Sequence, residues 1–267
     1  MPYLPPEIVN SIIDLLHDNP GALKRCCLVS SSWVARARKC LFHHVHFKYP
    51  EQFSAWKKNF PDPIKSPAVY TRFLRFANVE EVTDADASWI RSFTNVERLE
   101  LEINESDYIS HPIAISLVPF HNLSPAVKSL ELRWRGLPLP KIFDLIFSLP
   151  PLEYLYVGGL GTIFNGDWDI CRSPRPPVLT GTLVLGCWPG FVDRLLKLPL
   201  SVLRFQAIVA APGFRSANDF KGVRDIVERC FDTLESVNLN LEFRTSTQPC
   251  LFDPPSDGFV EYISVCS

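Results

Sequence analysis

The sequence predicts an α/β chain in two parts: a short three-helix head over residues 1–43, then an irregular repeat over residues 44–267 built around a parallel sheet. Three observations carry that expectation. The first forty residues place apolar positions at helical spacing, in LPPEIVNSIIDLL and CCLVSSSWVARARKCLF. Beyond them the frame apolar-x-x-apolar-Glu-x-apolar-x-apolar recurs, as FTNVERLEL from Phe93, LPPLEYLYV from Leu149 and FDTLESVNL from Phe231. Between copies of the frame lie stretches with a helical apolar stripe.

Composition bounds what the chain does. With 46% hydrophobic residues it can bury a substantial core, so disorder is not the expected description. A net charge of -2 supplies no basic field to draw it to nucleic acid or an anionic membrane. Twenty-four prolines against 12 glycines imply stiff connections between short elements, which suits neither a coiled coil nor a plain bundle. No basic region followed by an apolar run opens the chain, so the expected location is cytoplasmic and/or nuclear. The eight cysteines then stay reduced and the sequons at Asn104 and Asn122 stay unglycosylated. No apolar run reaches the roughly 18 residues of a membrane span.

In the head, Pro5 and Pro6 suit the first turn of a helix, and Glu7 complements its positive end. Ile8, Ile12, Leu15 and Leu16 then share a face. Asp18-Asn19-Pro20-Gly21 breaks the helix. A second helix is expected to carry Leu23, Cys26 and Cys27. A third, from about Ser30 to Phe42, carries Trp33, Val34, Ala37 and Leu41. Three helices in about forty residues enclose little core. The residues Leu4, Pro5, Glu7, Ile8, Ile12, Leu16, Leu23, Cys26, Leu28, Val29, Ser30, Trp33, Leu41 and Phe42, at these separations, resemble the F-box, especially the form expanded in fungi. The match covers residues 3 to about 43.

That resemblance implies docking on a Skp-type adaptor and, through it, on a cullin scaffold. The residues it implies for the contact are Leu4, Pro5 and Ile8 in one cluster and Leu28, Val29, Ser30 and Trp33 in another. Ile12 and Leu16 are candidates whose plainer role is packing inside the head.

Past residue 44 looser copies join the frame: SPAVKSLEL from Ser124, KLPLSVLRF from Lys197, TGTLVLG around Leu183 and Leu185, and RFLRF around Leu74 and Phe76. Val45 and Phe47 suit an entry strand. The first apolar residue of each inward pair falls at 45, 74, 99, 130, 155, 183, 203 and 237, at spacings between 20 and 34. Such an irregular period resembles leucine-rich repeats, which imply one short parallel strand and one outer return segment per unit. FKGVRDIVERCFDTL, IFDLIFSL and FVDRLLKL are the expected return helices. A doubly wound α/β domain also alternates strand and helix, but the recurring frame and the missing nucleotide fingerprint favour the solenoid. The asparagine ladder of the standard leucine-rich repeat is absent. The chain stops at FVEYISVCS, an apolar beginning that suggests truncated or degenerate repeats at the C-terminal end.

In parallel stacked strands the residues between and flanking the inward pair share the other face. These are Arg75, Arg98, Glu100, Glu102, Glu131, Arg133, Tyr154, Tyr156, Arg204, Gln206, Asn238 and Asn240. Mixed charges and aromatics suit recognition of a protein substrate, and Arg75, Arg98, Arg133 and Arg204 would serve a phosphorylated one.

Catalytic motifs are missing: no G-x-S-x-G, H-E-x-x-H or phosphate-binding G-x-x-x-x-G-K-[ST] occurs. VGGLGTIFNGD, around Gly159 and Gly161, puts Phe164 where a third glycine is needed. Cys40, His43, His44 and His46, with Cys26 and Cys27, fit no standard zinc spacing, so neither metal nor cofactor is expected. Cys171, Cys187 and Cys230 read as small core residues. The resulting expectation is not an enzyme but a substrate-recognition subunit of an SCF-type cullin-RING ubiquitin ligase. The alternative is an F-box and repeat interaction module in a non-degradative complex.

Overall fold

The computed structural model describes residues 5–77, 79, 82–102, 116–133, 139–159, 176–186, 189–210, 217–240 and 262–266. They fall into two compact units, Met1–Leu130 with Asp144–Pro150, and Glu131–Phe143 with Pro151–Ser267.

The first unit opens with three helices whose ends follow from local chemistry. Helix α1 (Pro6–Asp14) has proline at its first turn with Glu7 beside it. Helix α2 (Pro20–Val29) starts where the Asn19 carboxamide accepts the Ala22 N–H at 3.0 Å. Helix α3 (Ser31–Leu41) starts where the Ser30 hydroxyl accepts the Ser32 N–H, and ends with Arg38 and Lys39 in its last turn. Val9, Ile13, Leu23, Cys26 and Ala37 form their core, with Leu16, Cys27, Trp33, Cys40 and Leu41 packed against it.

Strand β1 (His44–Phe47) follows, then helix α4 (Pro50–Asn59), which the frame-based reading did not foresee. Its signals stand in the sequence nonetheless: Pro50 at the first turn, Glu51 beside it, Lys57 and Lys58 in the last turn. Gln52 Oε1 accepts the Lys48 N–H at 2.6 Å. Phe53 and Trp56, three apart, turn inward. Strands β2 (Phe73–Phe76) and β3 (Arg98–Glu102) then join β1 in chain order and in parallel, with the short helix α5 (Ala87–Ile90) between them.

Strand β4 (Ser129–Arg133) and helix α6 (Leu139–Ser148) follow. In the second unit β5 (Tyr154–Gly158), β6 (Leu179–Gly186), β7 (Leu203–Ala210) and β8 (Ser236–Asn240) lie side by side in chain order, all parallel. Return helices α7 (Pro189–Leu195) and α6 fall on the expected stretches, and so does α8 (Ala217–Cys230), but α8 ends before Phe231, which the expected stripe and frame turned inward and which is 77% exposed. The last strand, β9 (Tyr262–Cys266), reverses direction and pairs antiparallel with β8. The chain is thus α/β with a parallel sheet. Among the described residues no helix is long and apolar enough to cross a membrane.

The inward pairs behave as read from β1 to β6: Val45 and Phe47, Leu74 and Phe76, Leu99 and Leu101, Leu130 and Leu132, Leu155 and Val157, Leu183 and Leu185 are all buried. The expected alignment of Leu203 and Phe205 with them is corrected by the register. The partners of Leu183 and Leu185 are Ile208 and Ala210. Phe205 stands opposite Gly181 and Ala207 opposite Thr182, so Gln206 is an extra residue in β7. The copy of the frame here is therefore VLRFQAIVA from Val202, with Gln206 in the glutamate slot. Spacing between in-register residues becomes 28, 25 and 29 from Leu155 through Leu183 and Ile208 to Val237, close to the 29 and 25 from Val45 through Leu74 to Leu99.

Carbonyls at five of the corners, His43, Arg72, Glu97, Glu153 and Gln206, are met by backbone N–H groups further along the chain. His43 C=O accepts Arg72 and Phe73 N–H, Arg72 C=O accepts Glu97 and Arg98 N–H, and Glu97 C=O accepts Lys128 and Ser129 N–H, all within 3.1 Å. In the second unit Glu153 C=O accepts Thr182 N–H at 2.8 Å and Gln206 C=O accepts Glu235 N–H at 2.7 Å. One residue upstream, side chains take over: Thr71, Thr180 and Thr233 hydroxyls donate to the carbonyls of Phe42, Leu152 and Phe205. The Asn95 carboxamide and the Ser124 hydroxyl donate to the Val69 and Thr94 carbonyls, three residues upstream of Arg72 and Glu97.

Gly181 tests this corner. Its φ of 70° is in the left-handed region, and a Cβ there would stand 2.1 Å from the Glu153 carbonyl oxygen that Thr182 uses. Gly181→Ala is expected to cost about 1–3 kcal/mol, read as a lower denaturant midpoint. An unchanged midpoint would refute the corner's role.

Candidate protein-binding surfaces

Helix α1 carries two apolar rows. Val9 and Ile13, four apart, point into the head core. Ile8 and Ile12, also four apart and one step round the helix, lie outward at 50% and 38% exposure, and Leu15 reaches 83%. At the end of α2, Leu28 is 87% and Val29 64% exposed. Five large apolar side chains thus face water on a head of three helices, more than scattered surface residues account for. Pro5 and Ser30 are exposed as well. Of the other residues read as contacts, Leu16 and Trp33 pack onto the core and are part-buried, and Leu4 lies outside the described residues. Leu15 was not among the contact residues; its spacing placed it on the Ile8 face, and only the packing shows it fully outward.

The head is braced by Asp14. Arg36 grips both its oxygens, with Nε 2.6 Å from Oδ1, and the Cys40 thiol approaches the same oxygen at 3.6 Å. The Arg36 hydrogen bonds hold the Asp14 carboxyl below its ordinary range, and burial pushes the Cys40 thiol up. The His43 and His44 rings sit 4.7 Å apart, with His44 edge-on to Phe73. Among the described residues no three His, Cys, Asp or Glu side chains converge as a metal site.

On the outward face of the sheet, the register defines which residues line up. In the first unit His44, Phe73 and Arg98 form one row and His46, Arg75 and Glu100 the next. Arg98 lies over the Phe73 ring, 5.0 Å from its centroid. Arg75 bridges Glu102 at 2.7 Å and Glu100 at 3.5 Å, and Arg98 holds Glu100 at 2.7 Å. In the second unit Arg133 pairs with Glu131 at 3.1 Å and lies over the Tyr156 ring. Glu100 and Glu131 are buried beneath these guanidinium groups, so they act as counterions and do not reach solvent themselves. Tyr154 and Tyr156 line up with Thr182 and Val184, then Ala207 and Val209, then Ser236 and Asn238. The extra residue in β7 moves Arg204 and Gln206 out of these rows: Arg204 pairs with Thr180 and Gln206 has no strand partner. Asn240 ends β8. The glycine-rich stretch from 160, Cys171, Cys187, Asn104 and the segment 241–261 lie outside the described residues.

Comparison with protein-family models, with curated proteins and with solved structures returns no match for this chain.

Two expectations separate surface from core in the head. Ile13→Ala should destabilise by about 2–5 kcal/mol, while Leu28→Ala should shift stability by no more than about 0.5 kcal/mol, compared by denaturant unfolding. The contribution of Asp14 is fully present above its unfolded-state pKa of about 3.9 and is lost as pH falls through its lower folded value. Asp14→Asn should cost about 1 kcal/mol at pH 7 and progressively less from pH 5 to pH 3. A penalty that does not change with pH would show that the ion pair contributes nothing.

Proposed function

We propose that the chain is the substrate-recognition subunit of an SCF-type cullin-RING ubiquitin ligase, an F-box head followed by a leucine-rich-repeat-like body. The head would dock on a Skp-type adaptor and the sheet face would hold a target protein. The observation that carries this reading is the outward apolar set Ile8, Ile12, Leu15, Leu28 and Val29, beside a core that Val9, Ile13 and Leu23 fill without them. Burial of each such side chain in a partner is worth roughly 1.5–3 kcal/mol, so a few anchors sustain a lasting complex. The resemblance of the head's sequence to the F-box names the partner.

On this reading the chain contributes proximity. Holding a target beside the ubiquitin-loaded partner turns an encounter into an intramolecular step at high effective concentration, and that requires no catalytic side chain here.

The experiment is co-purification with a Skp-type adaptor. Wild type should capture it; Ile8→Ala/Leu28→Ala, two outward truncations that spare the head core, should keep the helical circular dichroism signal and bind at least about tenfold more weakly. Failure of the folded wild type to capture adaptor would overturn the ligase reading. Capture without ubiquitin transfer in a reconstituted ligase would favour a non-degradative complex.

A further inference from the structure

We infer that the sheet face of the second unit takes an uncharged, apolar segment of a target protein, not an acidic or phosphorylated one. This rests on the reading of the sheet face as the target-binding surface. The argument begins with the charges. On the described face Arg75, Arg98 and Arg133 are matched by Glu100, Glu102 and Glu131. The Glu100 and Glu131 side chains are only 7% and 5% exposed. Drawing a guanidinium onto a phosphate would pull it away from a buried carboxylate, which is unfavourable. Arg133 is further engaged over the Tyr156 ring, 5.2 Å from its centroid. Three of the four arginines read for a phosphorylated ligand are thus engaged within the fold, and the fourth, Arg204, stands exposed opposite Thr180, outside the rows that run from Tyr154 and Tyr156 to Ser236 and Asn238.

What the second unit offers from β5 to β8 is of another kind. Tyr154 and Tyr156, Thr182, Ala207 and Val209, Ser236 and Asn238 are all half-buried, and none is charged. Val184 is nearly covered, so the neighbouring rings and methyl groups form the contact level. Tyr156 lies flat because Gly158 and Gly186 pair in register beneath it; a Cβ on Gly158 would stand 2.3 Å from its hydroxyl oxygen. A tyrosine held in one orientation loses little entropy on binding, which is what an interface anchor needs. An apolar segment gains area against this shelf and displaces no ion pair. An acidic one meets no charged side chain within these described rows.

The probe is a displayed library of random peptides of about ten residues, long enough when extended at ~3.3 Å per residue to cross four strands ~4.8 Å apart. It is panned on the full chain, beside an array of synthetic phosphoserine peptides. Enriched peptides are expected to be aliphatic and aromatic, with aspartate and glutamate depleted. Their affinity should fall at least tenfold in Val209→Lys, whose fold is verified by circular dichroism. Binding of phosphoserine or acidic peptides, loss of that binding in Arg133→Ala, or no enrichment at all would each overturn the inference. Adaptor capture by the same preparations is scored separately, so an apolar peptide set on a chain that captures no adaptor sinks the ligase reading alone.

Discussion

A strand of four or five residues cannot satisfy the backbone of the corner that leads into it, and this fold depends on how those corner carbonyls are met. Five of them are met by the stretch that follows. Backbone N–H groups reach His43, Arg72, Glu97, Glu153 and Gln206, and hydroxyl or amide side chains reach carbonyls just upstream. Buried polar groups left unpaired cost about 1–3 kcal/mol each, so neighbouring repeats are locked in register by their turns as well as by their strands. Apolar packing then fills what the turns position: Leu74 stands beside Leu99 in the first unit, and Leu155 beside Leu183 in the second.

Much of this was legible in the sequence. Three helices with proline or serine starts, the inward pairs up to β6, and return helices α6, α7 and α8 followed from spacing alone. The side-chain bonds to the corners were not legible because they are divided among different residue types, Thr71, Asn95, Ser124, Thr180 and Thr233, at slots that shift by up to three residues. Periodicity sees identity at a fixed slot and is blind to function that moves. The β7 register failed for a similar reason. KLPLSVLRF and VLRFQAIVA overlap, both fit the apolar frame, and only the extra residue opposite Gly181 decides between them. Helix α4 escaped because its stripe is two residues, Phe53 and Trp56, too short for a periodic signal.

The candidate surfaces were legible to different depths. On α1 the rows Ile8–Ile12 and Val9–Ile13 have the same spacing and chemistry, so sequence could not say which faced water; the positions of Leu23 and Ala37 decide it. On the sheet face, alternation placed the charged residues correctly from β2 to β4, but not their mutual pairing. Glu100 and Glu131 read as ligands for a partner and turn out to be buried ligands for their own arginines. Three pairs of opposite charge look the same in a sequence whether they recruit a target or cancel one another.

The aromatic cluster around helix α4 has a bearing on modularity. Phe42, the residue that closes α3, meets Trp56 and Phe60 edge-on at 5.7 and 6.1 Å, and Trp56 in turn stacks on Phe93. The change from helices to repeat at residue 43 is a boundary in secondary structure, and the rings pack straight across it. A head cut out there would carry Phe42 into water, and the stump would present bare Trp56 and Phe60. Shuffling this head onto a foreign body, by recombination or by design, therefore has to carry helix α4 along, and the unit of exchange is longer than the sequence motif that marks it.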